Sequence, residues 1–196
     1  VIENADISLL QNLMHKVQNY SGISFDLELK GTTLTITALG KSAHSSKPSD
    51  GVNAIPYLAD LLSGTRWKNN GAGTLVNFIN DNIGLGLEGK KFGDIAYRDD
   101  FMGPMTVSPT VIKQHDDNIE LNINIRRPRG KTAIQLRTEI NSAVATWKLT
   151  NMAKLVELDH HIGDPWVQGD VPHAKTLLSI FSHYTGIKNA QPVAIG

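Results

Sequence analysis

The chain has 196 residues with 19 basic and 19 acidic side chains, so no strong global field favours nucleic acid or an anionic membrane. Forty per cent of the residues are hydrophobic and 19% charged, an ordinary globular composition, in a chain long enough to bury about 70% of the surface its unfolded form exposes. The absence of cysteine excludes disulfides and thiolate metal sites, and with no membrane-length apolar run and no signal peptide the expectation is a cytoplasmic protein without membrane or nucleic-acid partners.

In chain order, residues 6–19 carry Ile7, Leu10, Leu13, Met14 and Val17 at the spacing of a helix with one buried face. Asn4 or Asp6 can cap its start, and Tyr20-Ser21-Gly22 ends it. Two strands, 23–30 and 33–39, follow as a hairpin through Gly31-Thr32, with Leu34, Ile36 and Ala38 on one face. A helix over 51–63 shows a stripe of Ala54, Ile55, Leu58, Leu61 and Leu62, and Gly64 stops it.

Residues 65–104 are the least regular, with a short helix expected over 74–81. There Gly84, Gly89 and Lys90 imitate a phosphate-binding loop. The Ser/Thr after the lysine and a preceding buried strand are both missing, so the glycines read as turn residues. Strands resume over 105–113 and 118–126; in the second, Ile119, Leu121, Ile123 and Ile125 alternate with polar residues up to Arg126. Thr132 and Gln135 form a capping box for a helix to Trp147. A strand over 154–158, a linker at 160–165, a helix after Pro172 with Ala174, Leu177, Leu178 and Phe181 inward, and a strand starting at Pro192 complete the reading. The class is α+β: a two-layer sandwich of a mainly antiparallel sheet with helices on one face.

Two residues stand out. His44 sits mid-loop in the stretch Gly40–Ala54, between a strand and a helix. Spacing alone leaves it either a solvated loop histidine or a functional group on a rigidly flanked loop. Arg126 ends its strand on the polar face, where its plain reading is a solvated charge or an intradomain salt bridge. Arg127 and Arg129 read as surface charges, and the pair His160-His161 as solvent-facing rather than metal-ligating. Asn53 has its simplest role at the start of the helix.

Three stretches, in order, carry a resemblance. They are Gly40-Lys41-Ser42-Ala43-His44-Ser45 through Pro48, Gly51 and Asn53-Ala54; Asp99-Asp100-Phe101-Met102-Gly103 through Pro109; and Asn124-Ile125-Arg126-Arg127-Pro128-Arg129-Gly130. They resemble the lid, or dimerisation, domain of zinc exopeptidases related to carboxypeptidase G, aminoacylase and the Xaa-His dipeptidases. The second stretch and the extra segment at about 65–104 are most similar to bacterial dipeptidase V, a carnosinase-like monomeric branch.

The resemblance implies a ferredoxin-like lid over 1–158 and, over 159–196, the start of the C-terminal segment of a catalytic domain. With Val1 and Val193–Gly196 unlike natural termini, the chain is expected to be a fragment with little or no activity of its own. In the parent, His44 would stabilise the oxyanion during hydrolysis of a dipeptide, and Arg126 would hold the substrate carboxylate. Two zinc ions and the general base would lie on residues outside this chain, with no metal ligand inside it. The parent would be a monomer or homodimer. A related N-acyl amino acid deacylase or carboxypeptidase, or a self-associating module without catalytic role, remains an open alternative.

Overall fold

Helix α1 spans Ile7–Val17 and is capped by Asp6, whose carboxylate accepts the Leu9 N–H at 2.8 Å. Of the five apolar residues expected inward, Leu13 is buried, Leu10 and Val17 pack partly, and Ile7 and Met14 stay exposed. The computed structural model describes residues 1–45, 47–68, 70–116, 118–153, 157–165 and 172–191. Strands β1 (Ser24–Lys30) and β2 (Thr33–Leu39) pair antiparallel about Gly31, where φ of +60° suits a residue without Cβ.

Helix α2 (Ala54–Leu62) joins the molecule's two cores. Leu61 belongs to a small cluster with Ala5, Leu13 and Leu34, whereas Ala59 belongs to the larger one. At the small cluster's edge, Tyr20 donates to Asp60 at 2.7 Å; burial first, and then that carboxylate, push the phenol's pKa up.

The larger core draws on a segment that has no clear periodicity in sequence. Helix α3 (Gly71–Phe78) runs into a single π-helical turn over Ile79–Ile83. Phe78, Ile79, Ile83, Phe92 and Ile95 are all buried, so 65–104 forms part of the main core rather than an appendage. Gly84 and Gly89 both have positive φ, as turn residues do. Phe78 packs edge-on against Trp147 and Phe92, with centroids 5.1 and 5.9 Å away.

A short ladder joins β3 (Arg98–Asp99) to β4 (Gly103–Pro104), and a long one joins β5 (Thr106–His115) to β6 (Asn118–Arg126). The long ladder has a bulge between Pro109 and Val111, where proline offers no N–H. Among the described residues the strands pair two by two, as antiparallel hairpins, and the class is α+β as expected.

Helix α4 (Ala133–Thr150) starts with the expected capping box and runs three residues beyond Trp147. Its Leu136, Ile140, Val144 and Trp147 close the large core. Helix α5 (Pro172–Thr185) forms where expected; of the four residues read as inward, Ala174 and Leu178 are partly covered and Leu177 and Phe181 exposed. Residues 154–156 of one expected strand, and all of the last, lie outside the described residues; Glu157 and Leu158 carry no strand pairing.

Candidate functional site: the His44 loop and the end of β6

The loop after β2 closes on itself. Lys41 and Val52 exchange backbone hydrogen bonds of 2.9 and 2.8 Å. This closure requires glycine on each side: a Cβ at Gly40 would lie 2.1 Å from the Val52 carbonyl oxygen, and one at Gly51 would lie 2.5 Å from that of Lys41. Inside the loop the His44 carbonyl accepts from Lys47 N–H at 2.8 Å, and Pro48–Asp50 make a 3₁₀ turn.

Asn53 locks the far end twice. Its Oδ1 caps α2 by accepting the Ile55 N–H at 3.1 Å, while Nδ2 donates to the Pro109 carbonyl at the bulge of β5 at 2.6 Å. The helix-start role read from the sequence is therefore present, with an added tie to the long hairpin that the sequence did not disclose.

A second tie lies three residues back along β5, at the open end of the hairpin. Thr106 and Arg126 face each other across one rung of the β5–β6 ladder. Thr106 Oγ1 donates to the Ser45 carbonyl at 3.2 Å. Arg126 donates to the Ser45 hydroxyl through Nε at 3.2 Å and Nη2 at 3.1 Å. The rung thus holds Ser45 by both backbone and side chain, and Ser45 is the residue after His44. The two candidate residues are in this way brought together through an intermediary that the sequence reading missed. Ser45 and Arg126 lie 81 positions apart, and no local pattern signals their contact.

His44 is exposed and lines a cleft of about 620 Å³ together with Ser45, Tyr57, Leu85, Leu87 and Ser108. The lining combines the polar loop with Leu85, Leu87 and Val107 and with Ser108 and Thr110. An imidazole there is accessible to a ligand and anchored by its neighbours on both sides.

The charges beyond Arg126 are arranged differently. Arg127 is buried, which corrects its reading as a surface charge. Its guanidinium donates to the carbonyls of Gly163 and Lys131, each at 2.7 Å, and pairs with Asp164. Three acceptors compensate the burial of the cation. Arg129 contacts both oxygens of Asp99 at 3.2 Å and lies over the Phe101 ring. The N–H of Met102, then Arg129 and the N–H of Phe101, hold the Asp99 carboxyl below the usual carboxylate range. Lys131 pairs with Glu139 at 2.6 Å.

Arg126 has no carboxylate partner among the described residues, although it is half-buried. Its observed partner is a neutral hydroxyl.

Among the described residues no group of three or more His, Asp or Glu side chains comes together in a metal-binding arrangement. His160 sits 2.8 Å from the Asn141 side-chain oxygen on α4, and His115 lies 3.5 Å from Glu120. The described residues therefore present no donor set that fits a zinc centre. No described helix is long and apolar enough to cross a membrane.

The family model for the peptidase dimerisation domain matches residues 29–149, a span that holds both His44 and Arg126. Among curated proteins, one of Staphylococcus epidermidis named "Putative dipeptidase" is 28% identical over 98% of this chain and 41% of its own length. A Staphylococcus saprophyticus protein of similar name is 24% identical over the same shares, and one of Staphylococcus aureus is 27% identical over 84% of this chain and 36% of its own. The chain spans about two fifths of the length of these relatives. With its α+β hairpins and the match from β1 into the end of α4, the chain belongs to the peptidase dimerisation domain family.

Proposed function

We propose that this chain is the lid of a metal-dependent dipeptidase, in which Arg126 receives the substrate's C-terminal carboxylate and His44 stabilises the oxyanion formed during peptide-bond hydrolysis. The observation that carries this reading is the half-buried Arg126 beside the His44 loop, partnered by a hydroxyl where each neighbouring cation has a carboxylate. A guanidinium suits a planar carboxylate because its parallel N–H groups match both oxygens. An imidazole N–H directed at developing negative charge in a site shielded from water is worth a few kcal/mol. The metal centre that the resemblance implies falls to residues outside this chain, and neither role assigned here passes through it.

Names of the relatives favour a dipeptide substrate over an acylated amino acid or a longer peptide. The test is kinetic, on the full-length protein. His44→Ala should lower kcat by roughly 10²–10³, the loss expected for an oxyanion donor, with metal content unchanged. Near-normal kcat in that variant, with metal bound, would make the lid a passive cover.

A second reading, self-association, is compatible with the first. Ile7 and Met14 are exposed two turns apart on α1, the sort of apolar surface a second copy would cover. Sedimentation equilibrium of wild type and Met14→Glu tests it. A concentration-dependent dimer that this change weakens supports the reading, and a monomer at all concentrations removes it.

A further inference from the structure

Ser45 holds Arg126 in a way that leaves chemistry unused on both residues. A serine hydroxyl has two acceptor lone pairs and one O–H donor. Arg126 approaches Ser45 Oγ with two N–H groups, from Nε at 3.2 Å and Nη2 at 3.1 Å. Both lone pairs are thereby directed at the guanidinium, and the O–H is left to donate. On Arg126 the same contact engages the Nε–Nη2 edge, leaving the Nη1–Nη2 edge for another acceptor. The Ser45 backbone cannot drift from this arrangement easily, because its carbonyl is held by Thr106 from the opposite side of the rung. Ser45 also lines the cleft that His44 lines.

We propose that Ser45 and Arg126 form one carboxylate receptor, in which the Ser45 O–H donates to one ligand oxygen while the outer edge of the guanidinium serves the carboxylate. The proposal rests on the assignment of Arg126 as the carboxylate-binding cation and adds Ser45 as a ligand-contacting residue. The serine fixes the orientation of the guanidinium before the ligand arrives, which lowers the ordering cost of binding. It also completes the set with a donor that rejects a C-terminal amide presenting its N–H₂ to that position, since two donors would then face each other.

The experiment uses the 196-residue chain and the dipeptide glycylglycine, followed by NMR at the Arg126 Nε–H and the Ser45 amide. Wild type should show saturable shifts at both groups, and glycylglycine amide should bind more weakly. Ser45→Ala should weaken glycylglycine binding about 5–10-fold, the loss of one hydrogen bond to a charged group at a solvated site. Ser45→Thr, which keeps the hydroxyl, should stay within about twofold of wild type, and Arg126→Met, read at the Ser45 amide alone, should abolish the shift. Circular dichroism of each variant checks that the chain is folded.

Equal affinity in wild type and Ser45→Ala would overturn the proposal, as would a Ser45→Thr loss matching that of Ser45→Ala, or no saturable shift in wild type. Because no turnover is measured, this outcome is separable from the catalytic reading. Saturable, hydroxyl-dependent binding by the chain would stand even if the full-length protein failed to hydrolyse dipeptides.

Discussion

Arg126 and Arg127 are neighbours in the chain, yet they sit in opposite electrostatic situations. Arg127 is buried and spends its donors on two carbonyls and Asp164, tying the end of β6 to residues 163–164. Arg126 is half-buried and meets a serine hydroxyl that belongs to the His44 loop. Arg126 is the last residue of β6 and faces the loop, whereas Arg127, just past the strand, points the other way into the scaffold. The difference teaches that sequence proximity within a basic cluster says little about role. What separates a structural cation from a candidate ligand cation is whether the fold already supplies its counter-charge.

Several substitutions would break or sharpen this contrast, measured first as stability in urea. The largest effect should come from the aromatic centre of the large core. Phe78→Ala removes the packing against Trp147 and Phe92 and should cost about 3–5 kcal/mol. Arg127→Met comes next, at about 1–3 kcal/mol, because the carbonyls of Gly163 and Lys131 lose a buried donor while the exposed Asp164 regains water. Arg126→Met should cost less than about 1 kcal/mol, since only a bond pair to a neutral hydroxyl is lost. Equal destabilisation by the two arginine variants would erase the distinction.

The smallest effect concerns Asp99. Its folded pKa is lowered by the Met102 N–H and then Arg129, so its contribution is present above the ordinary carboxylate range and lost as pH falls through the lowered value. The stability difference between wild type and Asp99→Asn should therefore shrink as the solution is acidified and stay constant above neutrality. A difference that instead grew on acidification would show that the carboxylate's hydrogen bonds do not stabilise the fold.

Local signals were the ones that reading the chain could use. The Thr132–Gln135 capping box and the alternation of β6 depend on residues within a few positions of each other, and both are present as read. His44 could be singled out because its loop lies between two regular elements. Ser45 could not, because its partners Thr106 and Arg126 come near it only through the tertiary fold.

Arg127 was misread for a related reason. The run Arg126-Arg127-Pro128-Arg129-Gly130-Lys131 has the composition of a solvated turn, and the Gly163 carbonyl that helps to bury Arg127 lies 36 positions further on. The core role of Phe92 and Ile95 was equally hidden, as a Gly-rich segment with no period gives no face to read. In α5 the difficulty is reversed: the periodicity was legible, but half of the face it marks, Leu177 and Phe181, is exposed in this chain.

The claim that Arg126 serves a ligand carboxylate is tested most directly by a kinetic cycle on the full-length protein. Wild type and Arg126→Met are each assayed with a dipeptide and with the same dipeptide amidated at its C-terminus. The account predicts that amidation lowers kcat/KM in wild type by about 10- to 100-fold, the value of charge-assisted hydrogen bonds to a carboxylate. In Arg126→Met, amidation should change kcat/KM by no more than about twofold, because the group that reads the carboxylate is gone. The same amidation penalty in both enzymes would contradict the account and return Arg126 to the structural cations beside it.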